Sequence, residues 1–457
     1  MRAWTPQQVA QATGARLVAP PPTDAGPERV SIDSRDAGPG TLFVGLRGAN
    51  TDGGAHAANA LAGGAWGILT TEDHAQAAQA AQCAAPGVLL AAPDPLRSLQ
   101  SLAAAWRNQL NAKVIGVTGS TGKTSTKDLL SAILTPHRRT VASHANFNTE
   151  IGLPLEILSA PAETEVLVLE MGMRGPGQIA ELAQIASPDV AVIVSIGPVH
   201  LKLLGTIEAI AAAKAELIAG LKPQGTAVIP AREPLLELHR RADVATITFG
   251  DGGDVVLTRA DGDHLTIDLQ GEAVELEVSF TQAHLRNNLL AAVAAAKAVG
   301  VVPSGRVELQ LSSGRGQRQH LADKIILIDD CYNANPMSMR AALNDLKATA
   351  ARAQDGRRVA VLGDMLELGP DERAFHVEIG EHADAVEVDV LITVGPLAAA
   401  MGDRYHGEVH TVSDAAEAAV MLPVLLQSGD VVLVKGSRGV GLELVCEALT
   451  SSVGARA

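Results

Sequence analysis

The segment Gly116-Val-Thr-Gly-Ser-Thr-Gly-Lys-Thr124 constrains this chain more than any other stretch. The apolar residues Val114–Val117 read as a buried strand entering it, and a helix leaves it from Lys123. A glycine-rich turn between strand and helix is the context a phosphate loop requires. Glycine lets successive backbone N–H groups turn inward round phosphate oxygens, and the helix N-terminus adds its dipole. In such a loop Lys123 bridges the β- and γ-phosphates, and Thr124 ligates Mg²⁺. The general pattern G-x4-G-K-[ST] is not fully met, because Val117 stands at its first glycine. A chance glycine turn ahead of a helix is the competing reading, and it leaves the Lys-Thr pair without a reason. The expectation is an ATP site built on Gly119, Ser120, Thr121, Gly122, Lys123, Thr124 and Ser125.

A loop of this kind sits in an α/β domain, and 457 residues are too many for one ordinary core. Three α/β regions are expected. Residues 1–97 form a small α/β domain with short strands such as Thr41–Leu46 and Val88–Ala92. Residues 98–313 form the central nucleotide-binding domain, opening with a helix near Leu99. Its further buried runs, Val166–Glu170 and Val190–Ile196, imply a mostly parallel sheet. Val255–Phe280 alternates apolar and polar residues between Gly and Asp turns, so it reads as added antiparallel hairpins, followed by a helix over Leu285–Val299. Residues 314–457 repeat the β/α rhythm at Ile325–Asp329, Val359–Leu362, Val390–Val394 and Val431–Val434, a Rossmann-like unit with no dinucleotide fingerprint.

Charge and cysteine usage exclude some classes. A net charge of -15 argues against a general nucleic-acid binder, although a local Arg or Lys pocket can still take a small anion. Cys83, Cys331 and Cys446 show neither zinc spacing nor a disulfide framework. No apolar run approaches a membrane span, and the start lacks a secretory apolar core. A cytoplasmic protein without a membrane span, most simply a monomer, is the expectation.

Other candidates are weaker when taken singly. Glu170 ends a strand beside the loop and can reach a metal at the phosphates, and His200 follows Val190–Ile196 at the same sheet edge. A solvated strand end and an unligated loop histidine are equally good readings. Lys214 lies in an alanine-rich helical stretch, where a solvated lysine is the simplest reading. Asp329-Asp330-Cys-Tyr-Asn-Ala-Asn-Pro336 suits a ribose or second ligand, or else ordinary turn and N-cap chemistry. Lys435-Gly-Ser-Arg438 and Asp33-Ser34-Arg35 could each hold an anion or simply turn the chain.

Together these segments resemble the Mur ligases of bacterial cell-wall synthesis, over essentially the whole chain and in the right order. To those already named the resemblance adds Gly40-Thr-Leu-Phe43, Asn148-Thr-Glu-Ile-Gly-Leu-Pro154, Glu170-Met-Gly-Met173 and Ala213-Lys-Ala-Glu216. It continues with His284 and Asn288, Gly314-Arg315-Gly316, Leu362-Gly-Asp-Met-Leu-Glu-Leu-Gly369 and His376. Leu362–Gly369 and Tyr-Asn-Ala-Asn-Pro are similar to the MurF type, and no Asp-Asn-Pro-Arg motif of the MurE type is present. Asp52-Gly53-Gly54, Thr149 and Leu285 depart from the usual pattern.

The resemblance implies an ATP-dependent ligase that joins D-alanyl-D-alanine to a UDP-linked muramoyl tripeptide through an acyl phosphate. It implies a carbamylated Lys214 that binds a second Mg²⁺ with His200, and a metal role for Glu170 beside Thr124. Catalysis would then fall to Lys123, Lys214, His200 and Glu170. Asn288 would meet the adenine, and Arg315, Asp330, Tyr332 and Asn335 the nucleotide. Asp33, Ser34 and Arg35 would hold the UDP end, with Asn148, Thr149, Lys435, Ser437 and Arg438 at the substrates. Two alternatives remain: a relative such as folylpolyglutamate synthase or another Mur step, and a regulatory ATPase that needs no acceptor.

Overall fold

The apolar run ahead of the glycine loop forms the strand Lys113–Thr118, whose last five residues are all buried. A computed structural model describes residues 1, 3–49, 51–81, 86–144, 147–353 and 356–454. Cys83 lies outside the described residues. Three sheets organise the chain.

The first holds Arg16–Leu17, Val88–Ala91, Gly67–Thr70, Thr41–Val44 and Arg29–Ser31 in that spatial order, parallel except at its first pair. The ten-stranded central sheet has Lys113–Thr118 between Val190–Ile193 and Val166–Glu170, in parallel with both. Toward one end this sheet carries the antiparallel meander Val255–Asp261, His264–Leu269 and Glu272–Val278, edged by the parallel strand Gly305–Val307. The third sheet orders Gln317–His320, Ile326–Asp329, Val431–Lys435, Arg358–Gly363, Val390–Val394 and Glu408–Val412, and only its first pair is antiparallel.

Packing fixes where the loop points. The helix Lys123–Leu134 buries Leu129, Leu130 and Ile133 against the sheet residues Ile115 and Val117. The helix Ala283–Ala298 shares this core and is fully buried at Ala291, Ala292, Ala294, Ala295 and Ala296. Alanine carries no long side chain, so backbones pack closely there and no side-chain entropy is lost.

Two expectations shift. The helix expected near Leu99 begins at Pro95, because the Asp94 side chain accepts from Arg97 N–H and proline suits the first turn. It runs to Gln109 and so crosses the expected boundary at 97/98. Its buried Arg107 donates to the carbonyls of Ala186 and Ser187 at 2.8 and 3.1 Å, fastening it to the end of the helix Gln178–Ala186 in the central unit. The strand expected to reach Ile196 stops at Ile193, because Ser195 and Gly197 turn to brace the glycine loop.

Candidate functional site

The glycine loop is held from behind. Ser120 N–H donates to Ser195 O at 2.9 Å, and Thr121 N–H to Ser195 Oγ at 3.0 Å. The Ser120 hydroxyl donates to Gly197 O at 3.0 Å. Gly122 has φ +80°, and a Cβ there would meet Asn288 Oδ1 at 2.7 Å. Only glycine therefore fits at this turn, and Asn288 lies directly beside the loop. The helix's first backbone bond runs from Thr126 N–H to Gly122 O. The amides ahead of it have no intrahelical acceptor and form an anion-binding N-terminus.

A polar cluster sits on the loop. Lys123 Nζ donates to Gly119 O at 2.9 Å. Burial lowers its affinity for a proton, Arg315 adds to that, and Glu170 opposes it. The Thr124 hydroxyl donates to Glu170 Oε2 at 2.8 Å, and Asn148 Nδ2 donates to Oε1 at 2.7 Å. Glu170 is 2% exposed, so this carboxylate is set by the fold and is no solvated strand end.

Lys214 is also 2% exposed, with no hydrogen-bond acceptor or carboxylate partner among the described residues. Burial holds its ammonium well below the ordinary lysine range, and Lys123 pushes the same way. The solvated helix lysine is therefore ruled out. His200, half-buried in the left-handed region at φ 53°, has Nδ1 2.5 Å from Glu367 Oε2. Burial also lowers its proton affinity, which Glu367 partly restores.

The third region closes the opposite wall. Tyr332 carries the Arg315 guanidinium 4.0 Å from its ring centroid and that of Arg438 at 5.1 Å. Buried Lys435 donates to Asp330 Oδ2 at 2.6 Å and to Asn333 O at 2.9 Å. Asn335 caps the helix Pro336–Arg352 and donates from Nδ2 to Ser120 O at 3.3 Å, joining the third region to the loop.

These walls enclose a cleft of about 1020 Å³. Every expected nucleotide, metal and substrate residue of the central and third regions lines it except Ser437. The Ser437 hydroxyl instead accepts from Leu366 N–H at 2.9 Å. Asp33, Ser34 and Arg35 also lie outside the lining. Asp33 caps a short turn and pairs with the exposed Arg35, which lowers its pKa to about 2. Sequence reasoning gave no role to Arg97, Arg174 or Glu181, which line the cleft mouth, nor to Glu367. Glu367 lies inside the Leu362–Gly369 run, but its partner is 167 positions away, beyond any local signal.

A phosphate loop facing a carboxylate, a buried lysine and a cationic wall from a second α/β unit defines a nucleotide-dependent ligase of the interdomain type. The Mur ligase middle domain matches residues 117–296 and the Mur ligase, glutamate ligase domain matches residues 314–438. The chain belongs to the Mur ligase family. It is 35% identical to the UDP-N-acetylmuramoyl-tripeptide--D-alanyl-D-alanine ligase of Bacillus subtilis, covering 93% of each chain. MurF of Acinetobacter baumannii superposes with a TM-score of 0.86 at 30% identity, covering 98% of this chain and 99% of that one. The MurF ligase of Thermotoga maritima, solved in complex with ADP, gives 0.81 at 29% identity, covering 94% and 98%.

Proposed function

We infer that the chain is an ATP-dependent amide-bond ligase of peptidoglycan precursor synthesis, joining D-alanyl-D-alanine to UDP-N-acetylmuramoyl-tripeptide. Its kinship with the ligases of that name extends over 93% of both chains in the Bacillus subtilis case. The observation that carries the reading is the cleft, where Lys123, Glu170 and Lys214 of the central unit face Arg315, Asp330 and Lys435 of the third.

The chemistry accounts for that arrangement. A carboxylate does not react with an amine near neutral pH. Transfer of the γ-phosphoryl group of ATP to the tripeptide carboxylate gives ADP and an acyl phosphate. The free amine of D-alanyl-D-alanine attacks the acyl carbon, the amide bond forms as the nitrogen gives up a proton to solvent, and phosphate departs as the C–O bond breaks. Lys123 stabilises charge on the transferring phosphoryl oxygens. Asn335, which bridges to the loop, seats the third unit over the nucleotide, and the Arg315–Tyr332–Arg438 stack within that unit covers the cleft and limits the access of water to the acyl phosphate.

The donor set fits Mg²⁺, which takes oxygen ligands and substrate phosphates. The Thr124 hydroxyl and Glu170 carboxylate would hold one ion. His200 and Lys214 would hold the other, provided Lys214 is carbamylated. A buried lysine without a counter-ion favours its neutral amine, which is the form that adds CO2, and the carbamate is an oxygen ligand. The metals would neutralise phosphate charge.

Asn288 and Asp330 are assigned to the nucleotide, and Asn148, Thr149, Lys435 and Arg438 to the peptide substrates. Asp33, Ser34 and Arg35 are assigned to the UDP end and Ser437 to the substrates, with all four outside the cleft lining. Domain ranges of 1–97, 98–313 and 314–457 are supported by each sheet's strands falling within one of them, although the helix Pro95–Gln109 spans the first boundary. A monomer in the cytoplasm completes the reading, since one chain supplies the whole cleft and ATP is a cytoplasmic metabolite. No helix among the described residues is long and apolar enough to cross a membrane.

Phosphate release tests this reading. It should require both the UDP-linked tripeptide and D-alanyl-D-alanine, and should fall by at least about 10²-fold in Lys123→Ala. ATP turnover indifferent to both substrates would sink it. Lysine and diaminopimelate tripeptides compared side by side would identify the third residue.

A further inference from the structure

The strand Arg358–Gly363 continues into a run whose residues are tied down one by one. Ala398 N–H donates to Asp364 Oδ1 at 2.6 Å, and Met365 N–H donates to His376 Nε2 at 2.9 Å. Leu366 N–H donates to Ser437 Oγ at 2.9 Å. Met365 and Leu368 are buried. The run is thus a rigid arm of the third unit, and its next residue is Glu367.

Glu367 meets the central unit at two points. Its carboxylate lies 2.5 Å from His200 Nδ1, and its carbonyl accepts from Lys202 N–H at 3.2 Å. Both partners adopt left-handed backbone, φ 53° at His200 and 64° at Glu367. Side chains other than glycine adopt that conformation at a cost, and such strain persists only where surrounding structure enforces it. Here the arm and the helix Leu201–Leu204 enforce it.

We propose that Glu367 is a positioning residue for ligation: reaching across from the third unit, it holds His200 by Nδ1 so that Nε2 is presented to the cation at the phosphate site. A ring nitrogen that donates to a carboxylate fixes the tautomer and leaves the other nitrogen's lone pair free for a metal. Because the carboxylate and the imidazole belong to different units, the cation site is complete only when the third unit is seated. The inference rests on the ligase reading for its chemistry, but its central measurement does not.

The full-length chain, with ADP present, is titrated with Mn²⁺ and free ion is read by electron paramagnetic resonance. Glu367→Ala should weaken Mn²⁺ binding by about 10–100-fold. Glu367→Gln, whose amide oxygen still accepts from Nδ1–H, should fall between the two. His200→Ala should weaken binding similarly, and the double variant should lose little more, because one residue acts through the other. In turnover, the Mg²⁺ needed for half-maximal phosphate release should rise by a like factor while KM for D-alanyl-D-alanine stays put.

Wild-type Mn²⁺ affinity in a folded Glu367→Ala protein overturns the proposal, as does an additive double variant. If Glu367→Ala fails to fold, unchanged affinity in Glu367→Gln together with unchanged affinity in His200→Ala overturns it. Glu367-dependent Mn²⁺ binding without substrate-dependent phosphate release would sink the ligase reading alone.

Discussion

At the residue scale, burial decides what a side chain can do, and Lys214 shows it most clearly. A lysine in a run of alanines reads as solvated, and the resemblance alone suggested otherwise. The fold leaves it 2% exposed with Lys123 as its electrostatic neighbour. Both effects disfavour the ammonium and favour the nucleophilic amine. Lys214→Ala is therefore expected to lose most ligase activity and to regain part of it with added formate or acetate, which can stand where the carbamate oxygens would be. Wild-type activity should also fall in CO2-depleted buffer and return with bicarbonate. Phosphate release across a carboxylate titration checks this, and an Ala variant with undiminished activity would remove Lys214 from the site.

At the element scale, most strands and helices were legible in the sequence, because period-two and buried runs leave a local signature. The helix Pro95–Gln109 starts four residues before the apolar signal at Leu99, because Asp94 and Pro95 supply the cap and the first turn. The apolar run from Val190 is longer than its strand, because Val194 and Ile196 are apolar for packing while Ser195 serves the loop. The arm after Gly363 depends on His376, whose Nε2 accepts from Met365 N–H while Nδ1 lies 2.6 Å from Glu372 O. Only the neutral ring protonated at Nδ1 makes both bonds.

Burial lowers the His376 pKa below 6.5, and the Glu372 carbonyl partly opposes this. As pH falls past 6.5 the unfolded chain binds a proton that the folded chain still refuses. Stability is therefore fully present above that value and falls below it. Urea midpoints measured from about pH 7.5 down to about pH 5.5 should decline in the wild type and decline less steeply in His376→Gln. Some slope should persist, because His200, His284 and His382 are shifted the same way.

At the scale of the whole molecule, the cores group the sheets unequally. Leu42, Leu69 and Leu90 of the first sheet share one apolar cluster with Leu167 and Leu169 of the central sheet, joined through Leu99, Leu102 and Trp106. The third sheet keeps both of its cores to itself, around Leu343 and Leu433 on one face and Val434 and Leu449 on the other. Calorimetric unfolding should show the first two units melting together and the third separately. Leu102→Ala, at a fully buried position, should cost about 2–5 kcal/mol and lower the shared transition alone. A shift confined to the first unit, or a third transition, would contradict this coupling.

The sequence by itself determined the glycine loop, the α/β rhythm and the order of motifs that place the chain among the Mur ligases. These are local: a turn needs particular residues, and a buried strand needs an apolar run. Only the tertiary structure decided that Lys214 is desolvated, that Glu170 is fixed by Thr124 and Asn148, and that His200 answers to Glu367. Those facts depend on distances between residues tens to hundreds of positions apart, and on how much water the packed units leave between them.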